Sequence, residues 1–132
     1  MNIEEALYSK LTGDAGVAAL VVARIYPNVV PQDIAMPAVA YQRISTVRDM
    51  AHDGPTGVAH ARFQFTISAS TYSSARNVAN AIRVALDGFS GLMGGVGGVT
   101  VEAVFVENDF DGYNQAGGEQ VVRMDALVIH QE

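Results

Sequence analysis

The stretch His60-Ala61-Arg62-Phe63-Gln64-Phe65-Thr66-Ile67-Ser68-Ala69-Ser70 alternates without a break between polar and apolar side chains. Successive side chains of an extended strand point to opposite faces. Ala61, Phe63, Phe65, Ile67 and Ala69 therefore line one face, with His60, Arg62, Gln64, Thr66 and Ser68 on the other. That pattern predicts a half-buried antiparallel strand, and the rest of the chain is read from it.

Downstream, Ser73 or Ser74 is placed to cap a helix that runs to about Asp87. Its apolar stripe is Val78, Ala79, Ile82, Ala85 and Leu86, and Gly88 ends it. Upstream, Ala38 to Val47 is β-branched, aromatic and alternating, and is expected to pair with His60–Ser70 as a long hairpin. Alternation sets Val39, Tyr41, Arg43 and Ser45 on one side and Ala40, Gln42, Ile44 and Thr46 on the other. Between these strands Arg48–Gly57 reads as a loop, with Asp53-Gly54-Pro55 as its turn signal. Pro27, Pro31 and Pro37 hold the preceding stretch irregular, after a short strand at Arg24-Ile25-Tyr26-Pro27.

The chain opens with a helix from Asn2 to Leu11, capped by Asn2 and stopped at Gly13. Glu4 and Glu5 sit in its first turn and Lys10 in its last, which suits the helix dipole. Asp14 caps a second helix, Ala15 to Ala23. Beyond the central helix, Phe89–Gly98 reads as a glycine-rich connector, Val99–Val106 as a strand, Glu107–Gly118 as a polar loop and Gln120–His130 as a last strand. The expected fold is α+β: one domain over residues 1–132, an antiparallel β-sheet of four to five strands with two N-terminal helices and one central helix packed on it.

Composition narrows the function. The chain has 132 residues, 49% of them hydrophobic, enough for a single core. Charged residues are only 17%, against roughly 25% for a typical soluble domain. So few charges imply either a surface rich in Ser, Thr, Asn and Gln or one partly covered by other subunits, and the second is favoured because free monomers avoid large apolar patches. Eight cations stand against fourteen carboxylates, a net charge of −6, which argues against tight binding to a phosphate backbone. Arg43 and Arg62, on neighbouring strands, are the one place where a basic stripe is foreseen. There is no cysteine, so thiolate metal sites and cysteine nucleophiles are excluded. The acidic start, Met1-Asn2-Ile3-Glu4-Glu5, is unlike a secretory signal, and no apolar run reaches the ~20 residues a bilayer requires. Cytosolic synthesis without processing and no membrane partner are expected.

No catalytic or ligand set is complete. Gly94-Gly95-Val96-Gly97-Gly98 lacks the lysine of a phosphate loop and runs from helix into strand, so it reads as a connector. Glu107-Asn108-Asp109-Phe110-Asp111-Gly112 matches the first half of a calcium loop, but Gly118 stands where the closing glutamate belongs. His52, His60 and His130 lack helical i, i+4 pairing, and no Gly-x-Ser-x-Gly is present. An enzyme, a metal site and a cofactor are therefore not expected. Function is expected instead in the two long loops, through the interface candidates Arg48, His52, Asp53, Asp109, Phe110, Asp111 and Tyr113. Phe110 and Tyr113 are aromatic residues in a polar loop, the kind that anchor an interface.

The order of signals is also informative. Two short helices lead into Arg24-Ile25-Tyr26-Pro27, then Val30-Pro31-Gln32-Asp33 and Met36-Pro37-Ala38-Val39-Ala40-Tyr41-Gln42-Arg43-Ile44. The strand Arg62–Ser68 and the helix Ala75–Arg83 follow. From Ile3 to about Gly91 this resembles the tail-completion, or tail-terminator, proteins of long-tailed bacteriophages and related gene-transfer particles. The resemblance implies a structural assembly subunit, made in the host bacterial cytoplasm, that closes with its own copies into a ring, usually a hexamer. The ring would sit in the virion at the head-proximal end of the tail, between the tail tube protein and the head–tail connector, with DNA only passing through its lumen. It implies no catalysis and no cofactor. A second reading, a small ligand-binding or regulatory α+β module, would need a pocket with convergent polar groups.

Overall fold

The computed structural model describes all residues, Met1–Glu132. Three helices, α1 (Ile3–Thr12), α2 (Ala15–Val21) and α3 (Tyr72–Leu86), accompany six strands. The strands are β1 (Ile25–Pro27), β2 (Ala38–Ala51), β3 (Gly54–Ala69), β4 (Gly91–Met93), β5 (Val99–Asn114) and β6 (Glu119–Gln131). They form one sheet in the order β1-β2-β3-β6-β5-β4.

The helix ends follow local chemistry. Asn2 closes a capping box on α1: its side chain accepts from the Glu5 amide while Glu5 reaches back to the Asn2 amide. Asp14 accepts from the Gly16 and Val17 amides at the start of α2. For α3 the cap is Thr71, whose hydroxyl accepts from the Ser74 amide at 3.2 Å, two to three residues before the expected Ser73 or Ser74. At its other end Asp87 takes the Val106 amide and the Gly88 amide donates to the Val104 carbonyl, so the helix terminus is stitched onto β5.

β3 carries the core as its alternation requires: Ala61, Phe63, Phe65, Ile67 and Ala69 are all fully buried. They register with Val128, Ala126, Met124, Val122 and Gln120 of β6. Ile3, Leu7 and Leu11 of α1, Val17 and Val21 of α2, and Val78, Ile82 and Leu86 of α3 join the same cluster. All three helices thus cover one face of the sheet.

Several expectations need correction. The sheet has six strands, and β1 runs parallel to β2. Leu92 and its neighbours form β4 inside the expected connector Phe89–Gly98. Arg48–Gly57 is not a loop: β2 continues to Ala51, β3 begins at Gly54, and His52 and Asp53 alone make the turn. Glu107–Gly118 is not a loop either, because β5 runs on to Asn114 and only residues 115–118 turn. Both extensions were invisible as strands because a ribbon with two exposed faces has no apolar side to produce alternation. Finally, Ile44 is an extra residue opposite β3, between the pairs Arg43↔Phe63 and Ser45↔Arg62. A β-bulge reverses which face the following residues take. Val39, Tyr41 and Arg43 therefore share the helix-covered face with Ile67, Phe65 and Phe63, while Ser45 pairs with Arg62 on the open face.

Candidate functional site

The bulge also dissolves the expected basic stripe. Arg43 lies on the covered face over the Phe63 ring and pairs with Glu4 of α1. Arg62 lies on the open face and pairs with Glu107 of β5. The two guanidiniums are separated by the sheet and each is neutralised locally.

The seven interface candidates fall into two groups at opposite ends of the strands. At one end Arg48 makes two bonds to the Glu132 carboxylate, at 2.7 and 3.1 Å. That bond raises the Arg48 pKa and holds the Glu132 carboxyl below its usual value. His52 and Asp53 form the exposed turn just beyond, and Asp49 meets His60 at 3.1 Å across the ribbon. At the other end Asp109 and Asp111 register with Met124 and Val122, so they face the helices. Arg76 of α3 approaches them at 3.8 and 3.5 Å, and the Tyr72 hydroxyl donates to Asp111. Losing that proton would break the bond and set a second negative charge beside Asp111, so the Tyr72 pKa is raised. Phe110 registers with Arg123 on the open face, and Tyr113 stands near the turn; both are exposed. Asp109 and Asp111 thus tie β5 to the body of the protein, and the aromatics are left for contact.

More exposed apolar residues lie on these strands than the sequence reading named. Ile44, Val47 and Met50 on β2, and Phe105 on β5, are exposed, Val47 by 65% and Phe105 by 51%. No large hydrophobic residue of the central strands β3 and β6 is exposed to that degree. The signal available was Ile44, an aliphatic residue on the side with Gln42 and Thr46. Phe105 gave less, because Glu102 and Glu107 are extra residues in β5 that break its alternation.

No three His, Asp or Glu side chains are grouped to hold a metal ion. In the calcium-loop near-match, Glu107 is engaged by Arg62, and Asp109 and Asp111 face Arg76, along an extended strand. The largest concavity, about 580 Å³, lies between the Asn28–Met36 loop and Ala40, Thr66 and Ser68 of the sheet. Its charged lining is Asp33 and Glu119, with no cation to converge on a ligand with them. No helix is long and apolar enough to cross a membrane.

Comparison with known proteins identifies the family. Residues 5–126 match the family model described as tail completion protein gp17. No curated protein sequence matches the chain. Among solved structures, a chain of the virion of a native gene transfer agent particle superposes with a TM-score of 0.81. The match covers 98% of this chain and 95% of that one at 18% identity, which shows a shared fold. With nearly its whole length matched, the chain belongs to the tail completion protein gp17 family, a virion component with a structural role in the tail.

Proposed function

We propose that this subunit closes with copies of itself into a ring, six-membered as in the resembling family. The ring ends the tail tube at its head-proximal side and joins it to the head–tail connector. The observation that carries this reading is the set of large exposed apolar side chains on β2 and β5, namely Ile44, Val47, Met50, Phe105, Phe110 and Tyr113. β3 and β6 expose no large hydrophobic residue, and the others exposed are scattered over the N-terminus, helices, turns and β4. Such residues are stable in water only when their area is small or another chain covers it. Arg48, His52 and Asp53 mark one end of the strands and Asp109, Phe110, Asp111 and Tyr113 the other, so the two groups serve different neighbours. Tube and connector are two such neighbours. A net charge of −6 per subunit suits a lumen through which DNA slides without being held.

Light scattering on the purified protein, with electron microscopy of the same fractions, tests the ring. A closed ring is expected, and a monomer at all concentrations would count against it. Particles made without the protein should carry tails of abnormal length or tails detached from heads. Normal joined particles would refute the junction role.

A further inference from the structure

We infer that the concavity between the Asn28–Met36 loop and the open face of the sheet seats Arg83 and Val84, from α3 of the neighbouring copy; this rests on the ring reading above. Val29, Ile34 and Met36 give the concavity apolar walls, and Asp33 and Glu119 give it negative charge. Of the fourteen side-chain carboxylates, only Asp33, Asp53 and Glu119 lack an ion-pair or hydrogen-bond partner. Two of those three therefore line this one concavity. Ser68 on its floor is only 8% exposed, and its hydroxyl makes no hydrogen bond within the chain. Covering such groups with another chain is costly unless that chain brings a cation and donors.

The cation that fits stands on the helix layer. Arg43, Arg48, Arg62 and Arg76 each face carboxylates, Arg24 donates to backbone carbonyls, and Lys10 lies over the Phe89 ring. Arg123 lines a hollow adjoining the concavity, without an ion pair to Glu119. Arg83 is exposed and unpaired, and Val84 beside it is 74% exposed. Arginine suits the seat. Its guanidinium carries five donors for carboxylates and hydroxyls, and its apolar stem can lie along aliphatic walls.

Placement agrees with this pairing. Arg83 stands against Val106–Asp109 of β5, towards one margin of the sheet, and the Asn28–Met36 loop joins β1 to β2 at the other. Through β6, Val106 and Asp109 register with Phe63 and Phe65 of β3. Thr66 and Ser68 of the concavity follow Phe65 by one and three residues, about 3 and 10 Å of strand. The two features thus sit at neighbouring levels. A copy rotated about an axis along the strands keeps those levels, and the helix layer of one copy then overlaps the open face of the next. The contact joins two different surfaces, so it propagates head to tail and closes into a ring when the rotation allows.

Charge exchange tests the contact. Arg83→Glu alone, and Asp33→Lys with Glu119→Lys, should each raise the concentration needed for assembly in light scattering by about tenfold or more. Circular dichroism should be unchanged in both, and all three substitutions together should restore assembly. Unmoved assembly in either one-sided variant, or a combined variant that stays dispersed, would overturn the inference while the ring reading stands. If Arg83→Glu assembles normally but Asp33→Lys with Glu119→Lys leaves heads and tails unjoined, the concavity takes a basic segment of a tube or connector protein, and the second-copy assignment fails. A wild-type monomer at all concentrations would defeat both readings. The absence of cysteine allows a covalent readout that keeps every charge. Gln32 lines the concavity and Asn80 is exposed one turn before Arg83, on the other side of the sheet. Gln32→Cys with Asn80→Cys, treated with a short bis-maleimide, should give a ladder of covalent oligomers that neither single variant gives. Assembly without a ladder would count against the contact.

Discussion

The Tyr72 hydroxyl on the first turn of α3 donates a 2.9 Å hydrogen bond to Asp111 on β5, between residues thirty-nine positions apart in the chain. Arg76, one turn further along the helix, approaches the same carboxylate at 3.5 Å. The outer half of β5, paired with β6 on one side, is thus also held against the helix layer by a tyrosine and an arginine.

That bond makes a pH prediction. The folded pKa of Tyr72 lies above its ordinary 10, chiefly through the bond to Asp111. Tyr41 is raised as well, first by burial and then by the nearby Glu4 charge. A raised pKa means that the Tyr72 bond contributes below pH 10 and is lost as pH rises through the folded value. An ultraviolet titration should show late ionisation from Tyr72 and Tyr41, with the Tyr72 component lost in Tyr72→Phe. Loss of an early-ionising tyrosine rather than a late one in Tyr72→Phe would refute the bond to Asp111.

The other end of the sheet should respond to acid. The bond from Arg48 lowers the Glu132 carboxyl below its ordinary 4.5, with burial acting the other way. A lowered carboxylate pKa contributes above pH 4.5 and stops contributing as pH falls through the folded value. Wild type and Glu132→Gln should therefore differ in the amide spectra of Arg48–Gly57 at neutral pH and converge in acid. Identical spectra of the two proteins at neutral pH would refute the tie.

Phe65 is wholly buried, opposite Met124 and within reach of the helices. Phe65→Ala should cost about 3–5 kcal/mol in chemical denaturation, as a lost buried aromatic does. A loss below about 1 kcal/mol would reverse the assignment of faces.

Two glycines of the Gly94–Gly98 turn should behave differently. A Cβ on Gly98 would lie 2.1 Å from the Met93 carbonyl oxygen, so Gly98→Ala must displace β4. Gly95 has φ of +75° and open space around it, so Gly95→Ala meets only the left-handed backbone penalty, about 1–2 kcal/mol. Thermal unfolding should rank Gly98→Ala as the more damaging, and the reverse order would contradict the turn geometry.

DNA binding should be weak. Six excess negative charges per chain, with Arg43 and Arg62 each paired to a glutamate, leave no continuous basic track. An electrophoretic shift at physiological salt should show dissociation constants of about 10⁻⁴–10⁻⁶ M or weaker. Nanomolar binding would be incompatible with a lumen that lets DNA pass.

By itself the sequence determined what depends on near neighbours. Asn2, Asp14 and Gly88 act as caps and stop because each satisfies or bends backbone within a few residues. The buried face of β3 and the stripe of α3 were legible because one-sided burial leaves a period of two or of 3.6 in the residues. Tertiary structure alone decided the rest. The outer halves of β2 and β5 are strands because a partner strand supplies their hydrogen bonds, whatever side chains they carry. The three-residue strands β1 and β4 exist only as additions to longer neighbours, too short to leave a pattern. Arg43 and Arg62 part company because one extra residue, Ile44, turns the following chain over, and a bulge is a property of a pair of strands. For the same reason most of the interface candidates, expected in loops, stand on the outer halves of β2 and β5. Their exposure was legible in composition, while the edge that orders them belongs to the sheet.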